Sequence, residues 1–249
     1  MLLVVVAMPA CALKPTAEPP KDDPNRAENV RKAHLTISVN GPIGPTALFD
    51  GTAEIWFDRD QGLYRLHVTL KIAEGAADGK PQDGEVHVIV SPERVVLWER
   101  QGREQRKPKQ HALKTEAGAE PLLEEIQLGD LGSFIVPYVD AVFGFKRLKT
   151  EAKMEASESP LAGKDELRWY EVKPRDDAQD GLARTIGKFG GRTRVWLGVS
   201  PATGWPMSYV ARGVNGDEAK STLTKVDTNP DLKGVFDLPA EVKAKLEEK

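Results

Sequence analysis

The sequence predicts an α+β protein in which a long antiparallel sheet is interrupted by a central helical insertion. Three observations carry that expectation. Five segments between residues 33 and 98 read as strands, most of them alternating apolar and polar side chains with a period of two. Residues 120–145 switch to a helical pattern that is apolar on most sides. Strand patterns then resume at 166–172, 192–199, 205–211 and 221–226.

The chain opens on the apolar run Met1-Leu-Leu-Val-Val-Val-Ala-Met-Pro-Ala10, followed by Cys11, the only cysteine. A run of about ten apolar residues is too short to span a bilayer as a helix but suits the hydrophobic region of a secretory signal. The expectation is export, with residues 1–12 as a leader. Two processing routes stay open: a lipobox that makes Cys11 the lipid-attachment residue, or cleavage after Ala12 at the small-x-small site Ala10-Cys11-Ala12. Met8 and Pro9 stand where a lipobox usually carries Leu and a small residue. No basic residue follows Met1 within the leader, which points to a translation start further upstream.

Residues 13–23 combine prolines and charges without apolar period and read as an extended tether, after which residues 24–249 are expected to form one domain. Asp23-Pro24 predicts a capped short helix to about Lys32. Ala33, Leu35, Ile37 and Val39 then alternate with polar residues, as do Ala53, Ile55 and Phe57, and Leu66, Val68, Leu70 and Ile72. Val86, Val88 and Val90 continue across the turn Ser91-Pro92-Glu93 into Val95–Trp98. The insertion places Phe134, Ile135, Tyr138, Val139, Val142 and Phe143 around most of a helix, which must therefore be surrounded by protein or ligand. Pro201-Ala-Thr-Gly204 predicts a tight turn, and Val242 and Leu246 a short charged helix at the end.

With 35 basic against 38 acidic residues the net charge is −3, which argues against general nucleic-acid binding; no nucleic-acid partner is expected. Hydrophobic content of 40% with 29% charged residues suits a globular domain with a sizeable core. With Cys11 lipidated or removed, disulfides, cysteine-type zinc sites and thiol catalysis are excluded. His34, His67 and His87 fall on polar strand faces, and adjacent strands could bring His67 near Glu85 and His87 as a thin metal site; solvated strand faces are the plainer reading, and no metal site is assigned. His111 is the fourth histidine.

No Gly-x-Ser-x-Gly elbow or His-Glu-x-x-His helix is present. The stretch from Gly181 to Lys188 has five residues between its glycines and Phe189 after the lysine, which a phosphate loop does not tolerate. The carboxylate pairs Asp58/Asp60, Glu124/Glu125 and Asp176/Asp177 lack the asymmetric surroundings that acid–base catalysis needs, and read as solvated turns. Arg100, Arg103, Arg106, Lys107 and Lys109 form a basic run that could meet anionic headgroups or simply be a solvated loop. No catalytic residue and no cofactor is expected.

Several phrases resemble the LolA/LolB-like periplasmic lipoprotein carriers and their outer-membrane lipoprotein-sorting relatives. Arg194-Val-Trp-Leu-Gly-Val-Ser-Pro-Ala-Thr-Gly204 with Trp205-Pro206 is similar to the family's strand, turn and strand. Leu223-Thr-Lys-Val-Asp-Thr-Asn-Pro-Asp-Leu232 with Val235-Phe-Asp-Leu-Pro239 resembles its closing strand and terminal phrase, and Gly51-Thr-Ala-Glu-Ile-Trp-Phe-Asp-Arg59 its early strand ending in arginine. The resemblance covers most of residues 27–242. It implies an incomplete, half-open antiparallel β-barrel wrapped around a helical lid, with an apolar concave face for the acyl chains of lipid or lipoprotein. It further implies a monomer in the periplasm or on the periplasmic face of the outer membrane.

On that basis the expected lipid-binding residues are Ile55, Phe57, Val68, Leu70, Val88, Phe134, Tyr138, Val139, Val142, Phe143, Val195 and Leu197, and Arg59 matches the arginine that ties the lid to the barrel. The chain departs from the family in its long loops, 73–83 and 102–118, and its long tether. A freely shuttling carrier would not itself be lipidated, so Cys11 separates a soluble shuttle from a membrane-anchored acceptor. The competing expectation is a lipid-anchored envelope scaffold whose barrel is filled by its own side chains.

Overall fold

The computed structural model describes residues 23–43, 47–72, 82–101, 104–112, 152–164, 166–174, 192–213 and 216–247. Cys11 with its leader, most of the tether, the 120–145 insertion, Arg103, Asp176, Asp177 and the 181–188 stretch lie outside these residues.

Period-two alternation makes strands because successive side chains point to opposite faces of the pleat. The strands are β1 (Lys32–Ile43), β2 (Ala47–Asp58), β3 (Leu63–Ile72), β4 (Gln82–Val90), β5 (Arg94–Gln101), β6 (Glu104–Gln105), β7 (Lys109–Ala112), β8 (Ala152–Ser157), β9 (Arg168–Pro174), β10 (Arg192–Val199), β11 (Pro206–Gly213) and β12 (Glu218–Asp227). They form one sheet in the order β6-β5-β4-β3-β2-β1-β12-β11-β10-β9-β8, with β7 also pairing β5. Among the described residues every pairing is antiparallel and the two end strands do not pair with one another, so the sheet is unclosed. β1 and β12 join the chain's two halves at its centre.

One face of this sheet is the core. Leu35 and Ile37, Ile55 and Phe57, Val68 and Leu70, Val88 and Val90, Val195 and Leu197, Tyr209 and Leu223 all belong to one buried apolar cluster. The turns before β1 cross one end of the sheet. Ala27 donates its N–H to Thr203 O at 2.9 Å in the β10–β11 turn, while its carbonyl accepts from Arg59 Nη1 at 3.2 Å, just past β2. These turns thus reach across the ends of the strands between β2 and β11.

Three expectations change. Residues 24–30 form turns, not a helix. The capping bond is made, Asn25 N to Asp23 Oδ1 at 2.9 Å. The groups a helix would use are taken elsewhere: Ala27 N–H by Thr203, and Asn25 O by the Trp205 indole N–H at 3.2 Å. Tertiary bonds therefore override the local start signal. Next, the loop read at 102–118 contains β6 and β7, which satisfy backbone groups along the β5 edge. Finally, β8 was not visible as a strand pattern and is held by β9.

Among the described residues, the other face is covered at two places. α1 (Ala240–Glu247), the helix among the described residues, seats fully buried Val242 on Ile89, Val96 and Trp98, with Leu238 and Leu246 alongside. This is why Val95–Trp98 has no alternation: both faces of β5 are buried there. At the far end Leu161 and Leu167 pack over Trp169, Trp196 and Val210. Gly198 makes this possible, because a Cβ there would lie 2.9 Å from the Trp169 ring.

Candidate functional site

The interior face gathers seven of the expected lipid-binding residues. Ile55, Phe57, Val68, Leu70, Val88, Val195 and Leu197 are each 0–3% exposed and share one cluster. Cross-strand register brings Ile55 opposite Leu66, Val68 opposite Val86 and Leu70 opposite Gly84, so the apolar surface is continuous from strand to strand. Phe134, Tyr138, Val139, Val142 and Phe143 lie outside the described residues.

At the end of the sheet crossed by the turns before β1, the interior meets a cleft of about 220 Å³. Its walls are Ala27, Met154, Tyr170 and Val199, of which Ala27 and Val199 are core residues and Met154 and Tyr170 pack against the core; Arg26, Glu28 and Arg168 add charge. Those positions come from four distant stretches of chain, so no local spacing could have marked them. Typical small-molecule pockets run from about 300 Å³ upward, and this one has room for a headgroup or a chain end only.

Arg59 holds the floor of that end. Its Nη1 donates to the carbonyls of Ala27, Glu28 and Val30 at 3.2, 3.3 and 2.8 Å, and its guanidinium lies 5.2 Å from the Phe57 ring centroid. Its described partners are thus the N-terminal turns; the lid it was expected to tie lies outside the described residues. Beside it, Asp58 is 2% exposed, pairs with Lys32 Nζ at 2.9 Å, and accepts the N–H groups of Asp60 and Gln61 at 3.1 and 3.2 Å. Asp58 therefore closes the β2–β3 turn and does not stand as half of an acid–base pair with Asp60.

The outer face carries a second constellation. His67 pairs His87 across β3 and β4, their rings stacked with centroids 4.2 Å apart, and His87 stacks on Trp98 at 4.8 Å. Glu54 on β2 bridges His34 at 3.1 Å and His67 Nδ1 at 3.6 Å, and His34 stacks on Trp56. Glu85 contacts His87 Nε2 at 3.3 Å and is also bound by Arg100. These strand faces are half-buried, which corrects the reading of them as simply solvated.

Burial, then the neighbouring His67, pushes the His87 pKa from the ordinary 6.5 down to about 4. Burial works to raise Glu85, but its hydrogen bonds from Arg100 and His87 outweigh that and hold it low. Burial also lowers Arg65, which lies over Trp56 and donates to Val235 O at 2.6 Å.

The described residues define a class of molecule: an unclosed antiparallel sheet with a continuous apolar face and a partly charged cleft at one end of it. No family model matches the sequence, and no curated protein matches it. Among solved structures, the chain is similar to a LolA superfamily protein of Nitrosomonas europaea at 10% identity and a TM-score of 0.30, over 85% of this chain and 94% of that one. It is similar to a β-barrel-like protein from a domain family of unknown function in Brucella abortus at 8% identity and a TM-score of 0.38, over 81% and 99%. A third, described as an outer membrane lipoprotein-sorting protein domain from Vibrio parahaemolyticus, is 9% identical with a TM-score of 0.34, over 86% and 92%.

Proposed function

We propose that this protein is a non-enzymatic binder of acyl chains, of lipid or lipoprotein, in the cell envelope. The observation that carries the proposal is the continuous apolar face of an unclosed sheet, from Val88 on β4 across Phe57, Leu35 and Leu223 to Leu197 on β10, meeting the cleft between Met154, Tyr170 and Val199. An apolar interior reached through a partly charged mouth suits an amphiphile, with the chain inside and the headgroup near Arg26 and Arg168. The apolar leader supports export to the periplasm or the periplasmic face of the outer membrane.

Burying acyl chains is worth roughly 0.8 kcal/mol per methylene, so two long chains gain on the order of 10–20 kcal/mol relative to water. A membrane offers about as much. Net transfer is therefore governed by a small difference, and the cost of opening the interior sets its direction. In this reading the apolar insertion around Phe134–Phe143 is the lid that opens, Arg59 ties it down, and Cys11 decides between a soluble shuttle and a lipid-anchored acceptor.

A second reading, a lipid-anchored scaffold with a self-filled barrel, is favoured by the interior residues being 0–3% exposed and by the small volume of the cleft. Native mass spectrometry of the full chain purified from membranes separates the two. The carrier reading expects a co-purified species bearing acyl chains. Ligand-free protein across several mild detergents would favour the scaffold.

A further inference from the structure

We propose that His67, His87 and Glu85 form a binding site for a divalent transition ion, with zinc as its representative, on the outer face of the sheet. One ligand atom from each residue lies within 4.8 Å of the other two. Two imidazoles and a carboxylate are a donor set suited to Zn²⁺ or Cu²⁺ and not to Mg²⁺ or Ca²⁺, which take oxygen ligands. With zinc–nitrogen bonds of 2.0–2.1 Å, tetrahedral geometry places two histidine nitrogens about 3.3 Å apart, so side-chain rotations closing the cluster by about 1.5 Å would suffice.

A second observation is independent of that proximity. Among the described residues, His87 Nδ1 is buried with no hydrogen-bond partner, while Nε2 has the 3.3 Å contact to Glu85. A ring this poorly satisfied costs stability unless something ligates it.

The surroundings supply what a metal-ligating histidine ordinarily has. Glu54 lies 3.6 Å from His67 Nδ1, where a carboxylate fixes the tautomer; Nε2, now 3.4 Å from Thr69 Oγ1, would exchange that long contact for the ion. Trp98 stacks on His87 and covers one face of its ring. Glu85 must exchange Arg100 for the ion, and the Arg100 side chain, half exposed, has solvent to turn into. Glu54 and Glu85 together balance the ion's two positive charges against nearby Arg65. Three protein ligands leave a fourth position open to water or an exogenous ligand. The site lies on the face opposite the acyl-binding interior and stands whether or not that reading does.

Calorimetric titration of untagged full-length protein with ZnCl₂, after chelator treatment and with MgCl₂ as a control, tests this. The expected result is one Zn²⁺ per chain, no Mg²⁺ binding, and at least tenfold weaker zinc binding in His67→Gln and in His87→Gln, with His111→Ala unchanged. Should either histidine variant fail to fold, Glu85→Gln carries the test, with an expected weakening of about tenfold. Absence of saturable zinc binding in the native chain would overturn the proposal. So would zinc binding that Glu85→Gln and the folded histidine variants leave unaltered, since the ion would then reside elsewhere, for instance at Cys11.

Discussion

His87 is neutral in the folded chain at any pH above about 4, and this has a measurable consequence. Above pH 6.5 both folded and unfolded states are neutral there, so its contribution to stability is fully present. Between 6.5 and about 4 the unfolded chain takes up a proton that the folded chain refuses, and stability falls across that window. The groups facing His87 are Glu85, His67, Arg65 and Arg100; Glu85, itself held low, acts below its ordinary 4.5. In chelator-treated protein the urea midpoint should drop from pH 6.5 to 4, and His87→Gln should flatten that drop; an undiminished slope in the variant would exclude His87 as its source. Arg59 makes a separate prediction. Arg59→Met removes a charged donor from three carbonyls and should cost about 1.5–3 kcal/mol in urea unfolding, typical of bonds to a charged group. A loss below about 0.5 kcal/mol would mean that the N-terminal turns are held by Ala27 and Trp205 alone.

Among the elements, α1 is the clearest case of a short helix stabilised by what it covers. Eight residues are too few to be helical in isolation, and Val242 packed on Ile89, Val96 and Trp98 provides the tertiary anchor. Val242→Ala should cost about 1–3 kcal/mol and speed amide exchange through 240–247 ahead of the sheet. Exchange rising equally across β4 and β5 would instead make the helix part of the cooperative core. At β10, Gly198→Val drives a side chain into Trp169 and should cost about 1–3 kcal/mol in thermal or urea unfolding; an unchanged midpoint would mean that the indole moves aside freely.

The elements also mark how far local pattern reaches. β1 to β4 and β10 to β12 were legible because one face is buried and one is not, which writes alternation directly into the sequence. β8, β6 and β7 were not legible, because they are short strands held by neighbours. The 24–32 helix failed for the converse reason, since a sound cap lost to the Thr203 and Trp205 bonds.

Across the whole molecule, the interior face was legible residue by residue: Ile55, Phe57, Val68, Leu70, Val88, Val195 and Leu197 all point inward. The cleft was not, because the pairing of β8, β9 and β10 and the turns before β1 bring Arg26, Met154, Arg168 and Val199 together from separate stretches. The His67, Glu85 and His87 grouping was legible as a neighbourhood; the orphaned nitrogen and the Glu54 contact needed the three-dimensional register. A sheet with so large a shared apolar face has a distinctive thermodynamic signature if it binds acyl chains. The free energy should follow the methylenes removed from water, at ~0.8 kcal/mol each, which is about fourfold in affinity per methylene. Equilibrium binding of a homologous series of single-chain lysophospholipids, each below its micellar concentration, measures this directly. The dissociation constant should fall several-fold with every added methylene until the interior is full; affinity independent of chain length, or no binding by any member of the series, would mean that the apolar face does not take up acyl chains.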